Sequence, residues 1–130
     1  MGKVPYTDIP GLIAQSLLGL NPKCDVQAHS KTGLFPLKLF ETLACGVPII
    51  VTDFPGQADL VKQYDCGMVI EPNKPKALVD AISYLYNHPE KRKQMGTNGK
   101  NAIQAEHSWD KRAADTDKAI SSLINKKATP

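Results

Sequence analysis

Lys38 and Glu41 are the two charged side chains of an otherwise apolar stretch, PLKLFETLACG. Proline is common in the first turn of a helix, because its absent N–H is not needed there. The pattern therefore predicts a helix that begins at Pro36, runs to Cys45 and stops at Gly46, with Lys38 in its first turn. A helix N-terminus carries free N–H groups and a partial positive charge, and an added ammonium group makes it suitable for a phosphate or diphosphate.

Glu41 supplies the second half of this hypothesis. Residues three apart are neighbours on a helix surface, so we expect Glu41 on roughly the same face as Lys38, about one turn deeper. A carboxylate repels phosphate but accepts hydrogen bonds from sugar hydroxyls, so the two side chains together match a nucleotide. The alternative is a lysine–glutamate pair on a solvated helix face, worth about 0.2–0.5 kcal/mol. Spacing alone leaves these two interpretations open.

The segments around this helix predict an α/β protein. VPIIVTD, which follows the helix, has the continuous apolar, β-branched run of a strand buried on both faces. LGLNP before it and MVIEP after it are shorter strand candidates, separated by predicted helices. This alternation is typical of a doubly wound parallel sheet, in which ligands bind at the carboxyl ends of the strands near helix N-termini.

The remaining segments frame the candidate site. The polar stretch 23–34 is predicted to be a long loop, and long loops in compact domains are often functional. Three helical stretches follow the last strand, with breaks at His88 and Ser108. One apolar face of the central helix is expected to consist of Leu37, Phe40 and Ala44.

The composition is that of a single globular domain, with 130 residues, 42% of them hydrophobic, and a net charge of +3. The basic run PEKRKQMGTNGK has no interleaved aromatic residues, so we interpret it as a solvated helix face rather than a nucleic-acid surface. Three cysteines without C-x-x-C spacing favour neither a disulfide framework nor a zinc site, and they fit a reducing cytoplasm. The sequence shows neither a signal-peptide pattern nor an apolar run long enough to span a bilayer.

For several residues with reactive or aromatic side chains, the sequence favours a structural role over a chemical one. Trp109 is expected to be a core anchor rather than a stacking surface. Cys45 and Cys66 are expected to be small buried side chains rather than nucleophiles, since they have no basic neighbour in the sequence. The histidines are interpreted as surface or capping residues rather than catalysts: His29, His88 and His107.

The stretch PLKLFETLACGVPIIVTDFPGQADLV resembles the signature of retaining glycosyltransferases of the GT-B type, in the large family-4 group (glycosyl transferases group 1). CGMVIEPNKPKALVDAISYLYNHPEKRKQMGTNGKNAIQAEHSW resembles the continuation of the same family, so the likeness covers nearly the whole chain. It implies the Rossmann-like half of a GT-B fold with C-terminal helices. Residues 1–130 would then be one domain, an incomplete C-terminal nucleotide-sugar-binding domain.

The resemblance also implies roles for individual residues. Glu41 matches the second glutamate of the family's motif of two glutamates separated by seven residues, which binds ribose hydroxyls, and Lys38 matches a lysine near the diphosphate. The rest of the implied donor-binding set adjoins the helix N-terminus, where backbone amides meet phosphate: Thr32, Gly33, Leu34, Phe35 and Leu37. The first glutamate of the motif is replaced by Gly33, which leaves the transferred sugar open.

The implied function is transfer of a sugar from a nucleoside diphosphate sugar, without a metal or another cofactor. The family's basic pair at the leaving diphosphate and its catalytic histidine have no counterpart here. We therefore expect no catalytic residue in this chain and little or no transferase activity from it alone.

The expected partners are the nucleotide-sugar and an N-terminal acceptor domain, with no nucleic acid. Peripheral membrane association of the parent enzyme and self-association of the chain are left open. Two alternative functions remain: a sugar-nucleotide epimerase of the same fold, and a non-catalytic doubly wound interaction module.

Overall fold

The computed structural model describes residues 3–24, 33 and 35–127, the side chains of 125–127 excepted. The elements, in chain order, are a 3-10 turn (Tyr6–Asp8), α1 (Ile9–Ala14), β1 (Gly19–Asn21), α2 (Leu37–Ala44), β2 (Ile49–Thr52), α3 (Gln57–Tyr64), β3 (Gly67–Ile70), α4 (Pro75–Asn87), α5 (Pro89–Glu106) and α6 (Trp109–Lys127). The alternation of strands and helices predicted from the sequence is confirmed, as are the helix breaks near residues 88 and 108.

The three strands form a parallel sheet in the order β1-β2-β3. All four residues of β2 are buried, as its continuous apolar run predicts for a central strand. A buried polar chain ties the strands together at their carboxyl ends. There the Asn21 amide donates to Gln57 Oε1 over 2.8 Å, and Gln57 Nε2 donates to the Thr52 carbonyl over 2.8 Å.

Helices cover both faces of the sheet. Ile49 and Val51 point to one face, and Ile50 points to the other, because side chains alternate along a strand. The first face packs against residues of α2, α3 and α5: Leu39, Leu43, Leu60, Val61 and Ile103. The second packs against residues of α4 and α5: Ala81, Leu85 and Met95. The architecture is therefore a doubly wound α/β fold.

The ends of α2 lie within one residue of the predicted positions. Pro36 is the N-cap rather than the first helical residue, since its ψ of 138° is extended. The helix ends at Ala44, with Cys45 as its C-cap. Gly46 follows with a φ of 75°, the left-handed conformation that glycine commonly supplies after a helix.

The predicted apolar face of α2 is wrong for Leu37 and Ala44, whereas Phe40 is partly buried and packs against the core. Leu39 and Leu43 are the fully buried leucines of this helix, whereas Leu37 is 64% exposed and Ala44 is exposed as well. Both sets have helical spacing, and the contact with β2 decides which one is buried. The face with Leu37 is left open.

The last two helices differ in how they pack. α5 lies close against the segment before β2, where a Cβ on Gly96 would come within 2.1 Å of the Gly46 carbonyl oxygen. Every described side chain of α6 is exposed. The link between these helices brings the start of α6 alongside α2.

Candidate functional site

Glu41 lies on the side of α2 that faces away from the sheet. Because a helix turns by about 100° per residue, Glu41 is nearly opposite the buried Leu39 and Leu43. We call this side the open face of α2 and define it by the residues that line cavities beside the helix: Leu37, Phe40, Glu41 and Ala44. The Glu41 side chain is half-buried there.

One of these cavities lies between α2 and the start of α6, and we call it the α2–α6 cavity. Its volume is about 260 Å³. It is lined by Tyr6, Phe35, Leu37, Phe40, Glu41, His107, Trp109 and Arg112. A single carboxylate and a single guanidinium therefore stand among aromatic and aliphatic side chains, an arrangement typical of small-molecule sites.

A second cavity adjoins Glu41 on its other side, and we call it the α1 cavity. Its volume is about 330 Å³, and it is lined by Tyr6, Ile9, Pro10, Ile13, Glu41, Ala44 and Cys45. Tyr6 and Glu41 belong to both cavities. The Tyr6 hydroxyl donates a hydrogen bond to Glu41 Oε1 over 3.4 Å. A bond this long is weak, so a ligand hydroxyl can replace it.

The donor-binding residues predicted from the sequence are only partly brought together. Phe35, Leu37 and Glu41 line the α2–α6 cavity. Lys38, the second residue of α2, is exposed and does not belong to the described lining of either cavity. Gly33 is exposed. Three residues singled out from the sequence lie outside the described part of the chain: His29, Thr32 and Leu34.

His107 is a further member of the site. Its ring lies 5.5 Å from that of Phe40 and 5.9 Å from that of Tyr64, measured between centroids. Burial lowers the pKa of His107, and the nearby Arg112 guanidinium lowers it further, against a smaller opposing effect of Glu106. The imidazole is therefore neutral at pH 7. Its Nε2 is buried and has no hydrogen-bond partner among the described residues.

The sequence analysis missed part of this cluster. Trp109 was predicted to be a core anchor, but it is 78% exposed and lines the cavity, so that prediction is wrong. His107 was predicted to be a surface or capping residue; it is the C-cap of α5, as predicted, but its side chain is half-buried in the cavity lining. Arg112, whose guanidinium carbon lies 5.4 Å from the Phe40 ring centroid, was not singled out. Its position one turn after Trp109, just beyond a helix break, was the signal available.

The cysteines are placed partly as expected. Cys66 is fully buried, and burial raises the pKa of its thiol to about 11. Cys45 is half-buried at the end of α2. The described residues contain no cluster of three or more histidine, cysteine, aspartate or glutamate side chains that could hold a metal ion. In the same part of the chain, none of the helices is both long and apolar enough to cross a membrane.

Solved glycosyltransferases share this architecture. Sucrose-phosphate synthase from Thermosynechococcus elongatus matches with a TM-score of 0.66 at 27% identity, over 71% of this chain and 23% of that one. WaaG, a glycosyltransferase involved in lipopolysaccharide biosynthesis, matches with a TM-score of 0.66 at 21% identity, over 85% of this chain and 29% of that one. The predicted fold, the Rossmann-like half of a GT-B glycosyltransferase, is confirmed.

Sequence comparisons agree with the fold. An uncharacterized glycosyltransferase of Methanocaldococcus jannaschii is 34% identical over 82 residues, which are 63% of this chain and 23% of that protein. The chain spans less than a third of the length of the curated relatives that it matches. The model of the family described as Glycosyl transferases group 1 matches residues 1–102. The chain therefore belongs to the glycosyl transferases group 1 family.

Proposed function

We propose that this chain is the C-terminal, donor-binding part of a retaining, family-4-type glycosyltransferase and binds a nucleoside diphosphate sugar. The observation that carries the proposal is the position of Glu41. Its carboxylate is half-buried between two largely apolar cavities and has one weak hydrogen bond, from Tyr6, among the described residues. A carboxylate in this setting accepts hydrogen bonds from a vicinal diol, here the 2′- and 3′-hydroxyls of the donor's ribose.

The diphosphate would bind at the amino end of α2. The first N–H groups of a helix have no partner within the helix, and the helix dipole adds a partial positive charge. Lys38 is exposed at the second position of α2 and can reach a phosphate there. Because Lys38 does not share the described cavity lining with Glu41, the ammonium and carboxylate groups can serve different parts of one nucleotide.

In sugar transfer, negative charge develops on the leaving nucleoside diphosphate. Donors fixed at the point where charge develops lower the barrier, and the α2 amides and Lys38 are those donors in this proposal. No metal ion is needed for this role. The acceptor site and the other catalytic groups would come from outside these residues, because the matched part of this chain covers less than a third of each relative. The chain alone is then expected to be inactive as a transferase.

A calorimetric titration with UDP, GDP and ADP tests donor binding. We expect at least one of the three to bind and Glu41→Ala to weaken it by roughly tenfold or more, because a hydrogen bond to a charged group contributes about 1.5–3 kcal/mol. Lys38→Ala should weaken binding less, and its effect should shrink with added salt, since an exposed cation is screened.

A control pair is available on α4, where Lys76 and Asp80 have helical spacing and, unlike Glu41, are both exposed. Lys76→Ala and Asp80→Ala should leave nucleotide affinity unchanged. Absence of binding by all three nucleotides would contradict the proposal. Unchanged affinity in Glu41→Ala would also contradict it, and would return Lys38 and Glu41 to the role of a surface pair.

A further inference from the structure

We infer that α6 is a dimerisation helix, which pairs side by side and in parallel with α6 of a second copy of this chain. Every described side chain of α6 is exposed, so the rest of the domain leaves this helix uncovered. Self-association is one of the interactions that the sequence left open, and the residue pattern of α6 gives it a location and an orientation. Such pairing goes beyond the proposed function, because it requires neither Glu41 nor a nucleotide.

The exposed apolar residues of α6 have the spacing of a coiled coil. Helices of coiled coils carry apolar residues alternately three and four positions apart, at the heptad positions called a and d. On α6 this spacing gives a stripe of Trp109 (d), Ala113 (a), Thr116 (d), Ile120 (a) and Leu123 (d). Ile120 is 51% exposed and Leu123 is 63% exposed. A β-branched residue at a with leucine at d favours parallel, two-stranded pairing.

A shallow groove runs along the same side of α6. Its volume is about 450 Å³, and it is lined by Trp109, Arg112, Ala113, Thr116, Asp117 and Ile120. The groove therefore consists of stripe residues and two charged residues beside them. Thr116 is the polar member of the stripe, and its hydroxyl donates a hydrogen bond to the Arg112 carbonyl over 2.8 Å. A second helix can cover this hydroxyl without leaving its donor unpaired.

The charged residues beside the stripe favour the parallel orientation. In a parallel pair, each residue at position g faces the residue at position e of the other helix, five positions further along. Arg112 is at g and Asp117 is at e, and neither has an ion-pair partner among the described residues. A parallel pair in register joins them twice. In an antiparallel pair g faces g and e faces e, so they would not meet.

Sedimentation of the whole chain over a dilution series tests the pairing. α6 has 19 residues, fewer than three heptads, so we expect a dimer at high protein concentration that dissociates on dilution. Leu123→Asp should weaken the dimer by roughly tenfold or more, because it would bury a carboxylate without a partner. Val79→Asp is the matched control, since Val79 is 59% exposed on α4. It should leave dimerisation unchanged, and circular dichroism checks the fold of both variants.

Cross-linking tests the orientation. A cysteine at position a faces its own counterpart across a parallel pair, so Ala113→Cys should form a disulfide-linked dimer on oxidation with diamide. The background is Cys24→Ser, which removes an exposed thiol. Ala114→Cys is the matched control, because Ala114 is also exposed but lies at the outer position b. It should remain monomeric under the same conditions.

Charge reversal tests the predicted ion pair. Arg112→Asp and Asp117→Arg should each weaken dimerisation severalfold, because like charges would then face each other across the pair. An equimolar mixture of the two variants should regain dimerisation, since both flanks of the mixed dimer again hold opposite charges. Absence of this recovery would overturn the ion pair and the register that depends on it.

Three outcomes would overturn the dimer itself. The first is a chain that stays monomeric up to millimolar concentration, which would leave α6 to contact another part of a longer protein. The second is a dimer unaffected by Leu123→Asp, and the third is equal cross-linking of Ala113→Cys and Ala114→Cys. None of these results bears on the proposed function, which the nucleotide titration tests separately.

Discussion

The two faces of α2 show how one short helix can serve both the fold and a site. On the sheet side, Leu39 and Leu43 are fully buried against β2 and α5. On the open face, Leu37 is exposed and Glu41 lines two cavities. Because these sets point in nearly opposite directions, substitutions on the open face can change binding while the core packing stays intact. Stability and binding should therefore respond to different residues of the same helix.

The α2–α6 cavity also explains why several large apolar side chains near α2 are exposed. Leu37, Phe35 and Trp109 gain little from folding, because burial of apolar area is what stabilises a side chain. They surround the half-buried Glu41 carboxylate instead. A ligand that covered them would gain this hydrophobic contribution on binding. The free protein lacks it.

The largest expected effect is on the free energy of unfolding, which should differ between substitutions on the two faces of α2. Leu43→Ala removes a fully buried side chain and should lower the free energy of unfolding by about 3 kcal/mol, through lost burial and the cavity left behind. Leu37→Ala should change it by less than about 0.5 kcal/mol, as is usual for exposed positions. Urea unfolding followed by circular dichroism measures both. Equal losses in the two variants would show that the open face is packed in solution.

The sequence predicted the sheet better than it predicted the faces of α2. The strand around Ile50 was recognisable because a continuous β-branched run between turns fits little except a central strand. On α2 the apolar residues occupy two arcs with helical spacing, one with Leu37 and one with Leu39. Which arc is buried depends on where the sheet lies, and local sequence does not contain that information.

Only part of the candidate site could be predicted from the sequence. Glu41 was found through its proline-led helix and through the family likeness. Tyr6 and Arg112 are far from it in sequence and meet it only when the chain folds. Trp109 was misassigned because large aromatic residues are usually buried, and its exposure follows from the position of α6.

A smaller effect is expected from pH at the edge of the open face, where His107 contacts Phe40. Its pKa in the folded protein is lowered, chiefly by burial, whereas an unfolded histidine titrates near about 6.5. The unfolded state therefore binds more protons in the window below that value. The stability contributed by neutral His107 is present above about pH 6.5 and is lost as the pH falls towards the lowered pKa.

The measurement compares the pH dependence of unfolding in three proteins. His107→Gln should flatten the loss of stability below pH 6.5, because it removes the group that titrates. His88→Gln, at the exposed junction of α4 and α5, is the comparison variant, because it removes a histidine that lies outside the cavity lining. If His107→Gln leaves the curve unchanged, the imidazole is as accessible when folded as when unfolded, and the site is more open than described.

The smallest effect uses the cysteines to compare the open face with the core. Cys45, the C-cap of α2, lines the α1 cavity together with Glu41, and its pKa is raised first by burial and second by the Glu41 carboxylate. In a Cys24→Ser background, Cys45 should react with a thiol reagent in the folded protein, and Glu41→Gln should accelerate this modestly, because the reactive thiolate loses a repelling neighbour. Cys66, whose pKa is raised to about 11, should react only on unfolding.

Mass spectrometry of labelled peptides resolves the two sites. Labelling of Cys66 as fast as Cys45 would mean that the sheet side of α2 opens as readily as the ligand side. An unchanged labelling rate of Cys45 in Glu41→Gln would mean that solvent screens the Glu41 carboxylate from the Cys45 thiol. Glu41 would then interact with a ligand hydroxyl as an ordinary surface carboxylate does.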